Sequence, residues 1–177
     1  MYNPTYILID FQERLAKVME NHPSLLAQTE RLIKGLKILN IQMLWLEQYP
    51  KGLGPTCPSL SNLLSGYATR FEKKEFSAYW VDGVKEFLKK RDNNQVIISG
   101  IEAHVCVYQT VKDLLIEGYE VEVVADCIGS RTRQNRDIGL QKMLQLGANI
   151  TSTEMVLFEL LKTANHPRFK AISDIIK

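Results

Sequence analysis

VIISGIEAHVCVYQT, residues Val96–Thr110, passes from a buried strand into a helix within fifteen residues. Val96–Ser99 is a short run with little polar alternation, the pattern of a strand covered on both faces. Val107, Val111, Leu114 and Leu115 then recur at helical spacing, and Gly118 supplies a C-terminal cap. A strand therefore runs through a short turn into a helix, with Cys106 at the helix start. That is the repeating unit of an α/β domain built on a parallel sheet.

The same alternation extends in both directions. Thr5–Asp10, Ile41–Leu46 and Val121–Ala125 read as further buried strands, Thr69–Lys73 as a weaker one and Ala148–Ile150 as a short last one. Leu25, Leu32, Ile33, Leu36 and Leu39 form a helical face after Pro23-Ser24. Val84, Phe87 and Leu88 mark another helix, residues 134–146 a third ending at Gly147, and Met155, Val156, Phe158 and Leu160 a fourth from Thr153. The tail beyond Pro167 adds a turn or two. Tyr49–Gly66, with Pro50, Gly52, Gly54, Pro55 and Pro58, reads as one long irregular loop of the kind that often carries function. No repeat or linker divides the chain, so 1–177 is expected to be a single domain with a parallel sheet between helical layers.

Composition narrows the function classes. The chain has 45% hydrophobic and 24% charged residues and a net charge of +2, with no basic run of the length that tracks phosphates. A nucleic-acid partner is not expected. Lys89-Lys90-Arg91 complements the end of a helix and needs no polyanion. The three cysteines, Cys57, Cys106 and Cys127, form no paired motif, which argues against a disulfide framework or structural zinc and for a reducing compartment. MYNPTYILID reads as the approach to a buried strand rather than a signal peptide, and no apolar run is long enough for a bilayer. The expected location is cytoplasmic, without membrane partners.

Ligands in an open parallel sheet bind beyond the carboxyl ends of the strands, where strand order reverses. Asp10, Lys73 and Cys106 all fall at such ends. A thiol at a helix N-terminus near a lysine is expected to have a depressed pKa. A carboxylate in reach could take its proton and return it to a leaving group. Each residue also has a plainer role: Cys106 as core, Asp10 as a helix cap, and Lys73 or Lys74 as a solvated charge. His104 is either a supporting neighbour of the thiol or a solvent-facing residue, and Asp126 is expected to cap or order the loop through Ser130 to Arg133.

Taken together, LIDFQ, EKKEFSAY and GIEAHVCVYQT resemble the motifs of the isochorismatase-like cysteine hydrolase superfamily. EQYPKGLGPT, GYEVEVVADCIGSRTRQNRD and TEMVLFELL are similar to its isochorismatase-domain-containing subgroup, so the resemblance covers almost the whole chain. It implies a three-layer α/β/α sandwich with a six-stranded parallel sheet, the first and fourth strands adjacent. It implies Asp10 as acid/base, Lys73 as the cationic partner and Cys106 as nucleophile; Glu72, Lys73, Phe76 and Ser77 match the family spacing, which selects Lys73 over Lys74. A non-proline cis peptide at Ile101–Glu102, turning amide N–H groups toward an oxyanion, and a homo-oligomer are implied as well. Two departures sharpen the expectation. LEQYPKGLG carries no histidine where nicotinamidase-like members bind metal, so neither metal nor cofactor is expected. True isochorismatases do not have this cysteine. The implied activity is hydrolysis of a C–N bond in a small amide or carbamoyl compound; the alternatives are ester or thioester hydrolysis by the same three residues, or a non-catalytic interaction protein that kept the fold.

Overall fold

Tyr6, Ile7, Leu8 and Ile9 are an unbroken apolar run because both of their faces are covered. In the computed structural model, which describes residues 3–177, they form most of β1 (Thr5–Ile9). Tyr6 and Leu8 enter one core, Ile7 and Ile9 the other. Five strands join it: β2 (Gln42–Gln48), β3 (Thr69–Lys73), β4 (Gln95–Ile101), β5 (Glu120–Gly129) and β6 (Asn149–Thr151). Every pairing is parallel, in the order β3-β2-β1-β4-β5-β6. The order reverses between β1 and β4, which places the switch point there.

The helices are α1 (Glu13–Ala16), α2 (His22–Ile38), α3 (Pro50–Leu53), α4 (Pro58–Leu64), α5 (Asp82–Lys89), α6 (Tyr108–Ile116), α7 (Arg133–Gln145), α8 (Thr153–Leu161) and α9 (Phe169–Ile176). Leu32, Ile33 and Leu36 of α2, Leu60 and Leu64 of α4, and Val156 and Leu157 of α8 pack with Tyr6, Leu8, Met43 and Ile97 on one face of the sheet. Val84 and Leu88 of α5, Val111 and Leu114 of α6, and Met143 of α7 pack with Ile7, Ile9, Leu44 and Ile98 on the other. The result is a three-layer α/β/α sandwich around a six-stranded parallel sheet.

Two segments differ from their sequence reading. Tyr49–Gly66 is not one irregular loop: it holds α3 and α4, each with proline in its first turn. A residue that stops a helix in its interior is well suited to begin one, since the first amide needs no partner. β5 extends past Ala125 to Gly129, because its register against β4 shifts between Ile98 and Gly100 and then resumes as Gly100 opposite Ile128. Gly100 itself lies opposite Ile9, at φ +135°, where a Cβ would stand 2.1 Å from the Ile9 carbonyl oxygen. Only glycine permits β1 and β4 to approach so closely just below the switch point.

Candidate active site

Asp10 follows β1 directly, with φ at 50°, and its amide donates to the Leu46 carbonyl at 3.1 Å. A non-glycine residue in the left-handed region is a strained conformation that tends to gather at functional sites. The residue caps no helix: α1 begins at Glu13 after Gln12, without a side-chain cap. The Asp10 side chain is fully buried, and its Oδ2 accepts from Lys73 Nζ at 2.7 Å. Its other oxygen, Oδ1, has no hydrogen-bond partner. An orphaned buried carboxylate oxygen calls for an explanation in function.

Lys73 ends β3, next to the end of β2, with Lys73 in register with Gln48. Its ammonium is also wholly enclosed, and donates to Gln48 Oε1 at 2.6 Å and to the carbonyls of Phe76 and Glu75 at 3.1 and 3.2 Å. Lys74, its neighbour in the motif, is exposed.

Cys106 lies in a π-helical turn, Ala103–Val107, that leads into α6. Such turns are rare and concentrate at functional sites. Thr110 anchors the turn by donating to the Cys106 carbonyl at 2.7 Å, while its oxygen accepts from the Ala78 amide at 2.9 Å. The thiol is buried and interacts with the side chains of both Asp10 and Lys73. The three polar ends of β1, β3 and the β4–α6 connection thus converge beside the switch point.

The expected depressed thiol pKa is not found. Burial above all, and then the negative charge of Asp10, push the Cys106 thiol up to about 12, with Lys73 acting in the opposite direction. Asp10 is raised as well: burial outweighs the ammonium and hydrogen bonds that favour its carboxylate. Enclosure acts on the thiol more strongly than the Lys73 charge does.

The Ile101–Glu102 peptide bond is cis. The Glu102 carboxylate turns aside to accept from the Arg131 amide at 3.1 Å and from its Nε at 3.0 Å. His104 is half-buried with Nδ1 3.1 Å from Ser130 Oγ. Asp126 does not order the Ser130–Arg133 loop as expected; it accepts from the Thr153 amide at 2.9 Å and Thr153 Oγ1 at 3.1 Å, at the start of α8. Cys57 and Cys127 are free and buried.

Several supporting residues were not read from the sequence. Gln12, fully buried, donates to the carbonyls of Gln48 at 3.0 Å and Gly54 at 2.7 Å. Buried Glu47 accepts from the Thr56 amide and hydroxyl, each at 2.8 Å. These bonds clip the α3 segment onto the residues after Asp10, making it a fixed wall. Gln48 and Glu47 sit at a strand's carboxyl end, the signal that picked out Asp10. A cleft of 580 Å³ opens beside this wall, lined by Tyr49, Lys51, Lys73, Lys74, Glu75 and Trp80 among others. Among the described residues no three His, Cys, Asp or Glu side chains gather closely enough to hold a metal ion.

The family described as Isochorismatase domain matches residues 4–155. Isochorismatase domain-containing protein 2 of Xenopus laevis is 36% identical over 169 residues, covering 96% of this chain and 81% of that protein. Isochorismatase domain-containing protein 1 of Salmo salar is 35% identical over 172 residues, covering 97% of this chain; the match spans only 60% of that longer relative. Among solved structures, MAR1 ribonuclease from Caenorhabditis elegans superposes with a TM-score of 0.93 at 38% identity, covering 98% of this chain and 89% of that one.

Proposed function

The chain belongs to the isochorismatase family, and from that premise we propose that it hydrolyses a C–N bond in a small amide or carbamoyl compound through a covalent intermediate on Cys106. The carrying observation is the buried Asp10–Lys73 ion pair, whose two charges both act on the buried Cys106 thiol, with Asp10 Oδ1 left without a partner. In this reading the residue range 1–177 acts as one hydrolase domain on a small-molecule substrate and self-associates.

The raised thiol pKa shapes the chemistry. Cys106 rests as a neutral thiol and loses its proton only as Sγ attacks the substrate carbonyl carbon. Asp10 accepts that proton, and its own raised pKa makes it a stronger base than an exposed aspartate. Lys73 balances the negative charge that passes between thiol and carboxylate. Amide N–H groups of the turn from Ile101 through Glu102 to Cys106 are the proposed donors to the tetrahedral oxyanion. Collapse of that intermediate breaks the C–N bond as Asp10 returns the proton to the departing nitrogen. Asp10 then takes a proton from water as it attacks the thioester, or the thiocarbamate formed from a carbamoyl compound; collapse releases the carboxylic or carbamic acid, and Asp10 returns that proton to Sγ.

The similar structure from Caenorhabditis elegans is named a ribonuclease, which raises RNA as a substrate. Against it here stand a net charge of only +2 and the enclosure of all three central side chains. The test is incubation with a panel of small amides, carbamoyl compounds, esters, thioesters and RNA, with mass detection of a Cys106 adduct. Amide or carbamoyl turnover with an acyl adduct, both lost in Cys106→Ala, supports the proposal. Turnover that survives Cys106→Ala, or cleavage of RNA alone, ends it.

A further inference from the structure

We propose that Gln48 is a positioning residue: its neutral side-chain oxygen holds the Lys73 ammonium in place and thereby sets how readily Cys106 gives up its proton. The inference rests on the proposed roles of Asp10, Lys73 and Cys106.

An ammonium has three N–H bonds to place. Four oxygens surround Lys73 Nζ, and the two shortest contacts are Gln48 Oε1 at 2.6 Å and Asp10 Oδ2 at 2.7 Å; the carbonyls of Phe76 and Glu75 lie at 3.1 and 3.2 Å. Gln48 is thus as close a partner of the lysine as the aspartate is. Its amide cannot turn over, because Nε2 donates to the Lys74 carbonyl at 2.7 Å. Reversal would set an NH₂ group against the ammonium and one carbonyl against another. The Gln48 backbone is held as firmly: its amide donates to Gln12 Oε1 at 2.7 Å and its carbonyl accepts from Gln12 Nε2 at 3.0 Å.

Charge explains why an amide suits this place. The Lys73 charge favours both the Asp10 carboxylate and the Cys106 thiolate, against the burial that opposes them. A neutral acceptor satisfies the ammonium without adding an anion, so the positive charge acts undivided on those two groups. A carboxylate at position 48 would add a like charge to the cluster and push the thiol pKa higher still.

The experiment measures alkylation of Cys106 by iodoacetamide under native conditions, with peptide mapping, in wild type, Gln48→Glu and Gln48→Met. Below its pKa a thiol reacts in proportion to its thiolate fraction, so each unit of upward shift slows labelling about tenfold. Gln48→Glu is expected to slow Cys106 labelling at pH 8 by about tenfold through like-charge repulsion. Gln48→Met, of similar length but with a much weaker acceptor, is expected to slow it by about threefold, as the ammonium loses its fixed position. A residue that merely braced the fold would instead lower the urea midpoint and leave labelling of the folded protein unchanged. That result, or wild-type labelling in both variants, overturns the proposal. The readout needs no substrate, so failure of the hydrolase reading, seen as turnover surviving Cys106→Ala, is distinguished from failure of this one.

Discussion

Asp10 and Lys73 act on the Cys106 thiol in opposite directions, one raising its pKa and the other lowering it. The variants should therefore separate reactivity from turnover. Asp10→Asn removes the opposing charge, so Cys106 should alkylate faster, by about an order of magnitude, while turnover is lost because an amide cannot carry the proton. Lys73→Ala should slow alkylation and turnover together. In wild type, labelling should keep rising about tenfold per pH unit between pH 7 and 10, instead of levelling at mildly acidic pH as a depressed pKa would require. Peptide-mapped labelling rates across that range check all three; slower labelling in Asp10→Asn would contradict the assignment of Asp10 as the thiol's opposing charge.

Among the elements, α7 holds the Ala103–Val107 turn from behind. A Cβ on Gly139 would stand 2.9 Å from the Ala103 carbonyl carbon and 3.0 Å from the His104 amide nitrogen, backbone atoms that cannot yield as a flexible side chain does. Gly139→Ala is expected to destabilise by about 1–3 kcal/mol, the usual range for overpacking. Because the strain falls on the Ala103–Val107 turn, turnover should drop by more than the loss of folded protein explains. Urea unfolding together with kcat at full folded occupancy checks both halves, and an unchanged midpoint would show that α7 shifts freely.

The whole molecule encloses groups that prefer to stay neutral, and its stability should carry that signature. Cys106 and Cys127 are both raised from 9.0 to about 12, chiefly by burial. Between those values the unfolded chain has released protons that the folded chain still holds. Stability is therefore fully present below pH 9 and falls as pH rises toward 12. A urea midpoint that declines steadily from pH 9 to 11, less steeply in Cys127→Ala, is the expected outcome; a flat midpoint would refute it. The proposed self-association predicts a mass by light scattering of at least twice the 20.3 kDa chain at micromolar concentration. No helix among the described residues is long and apolar enough to cross a membrane.

The apolar run Tyr6–Ile9 and the strand-to-helix passage at Val96–Thr110 are legible in the sequence, because a strand buried on both faces must be apolar throughout and a helix must repeat near every fourth residue. With the motif resemblance, the sequence also carried the adjacency of the first and fourth strands and the cis bond at Ile101–Glu102. It did not determine the thiol's ionisation. That depends on enclosure and on which charges surround Sγ, and both are sums over residues far apart in the chain. The same reason hid Gln48: its role exists only because β2 and β3 lie side by side and bring its amide to the lysine 25 positions later. Asp126 was misplaced likewise, since the helix start it supports lies 27 residues downstream. Local pattern is written residue by residue, whereas a long-range hydrogen bond or a buried charge is set only when tertiary packing chooses its partners.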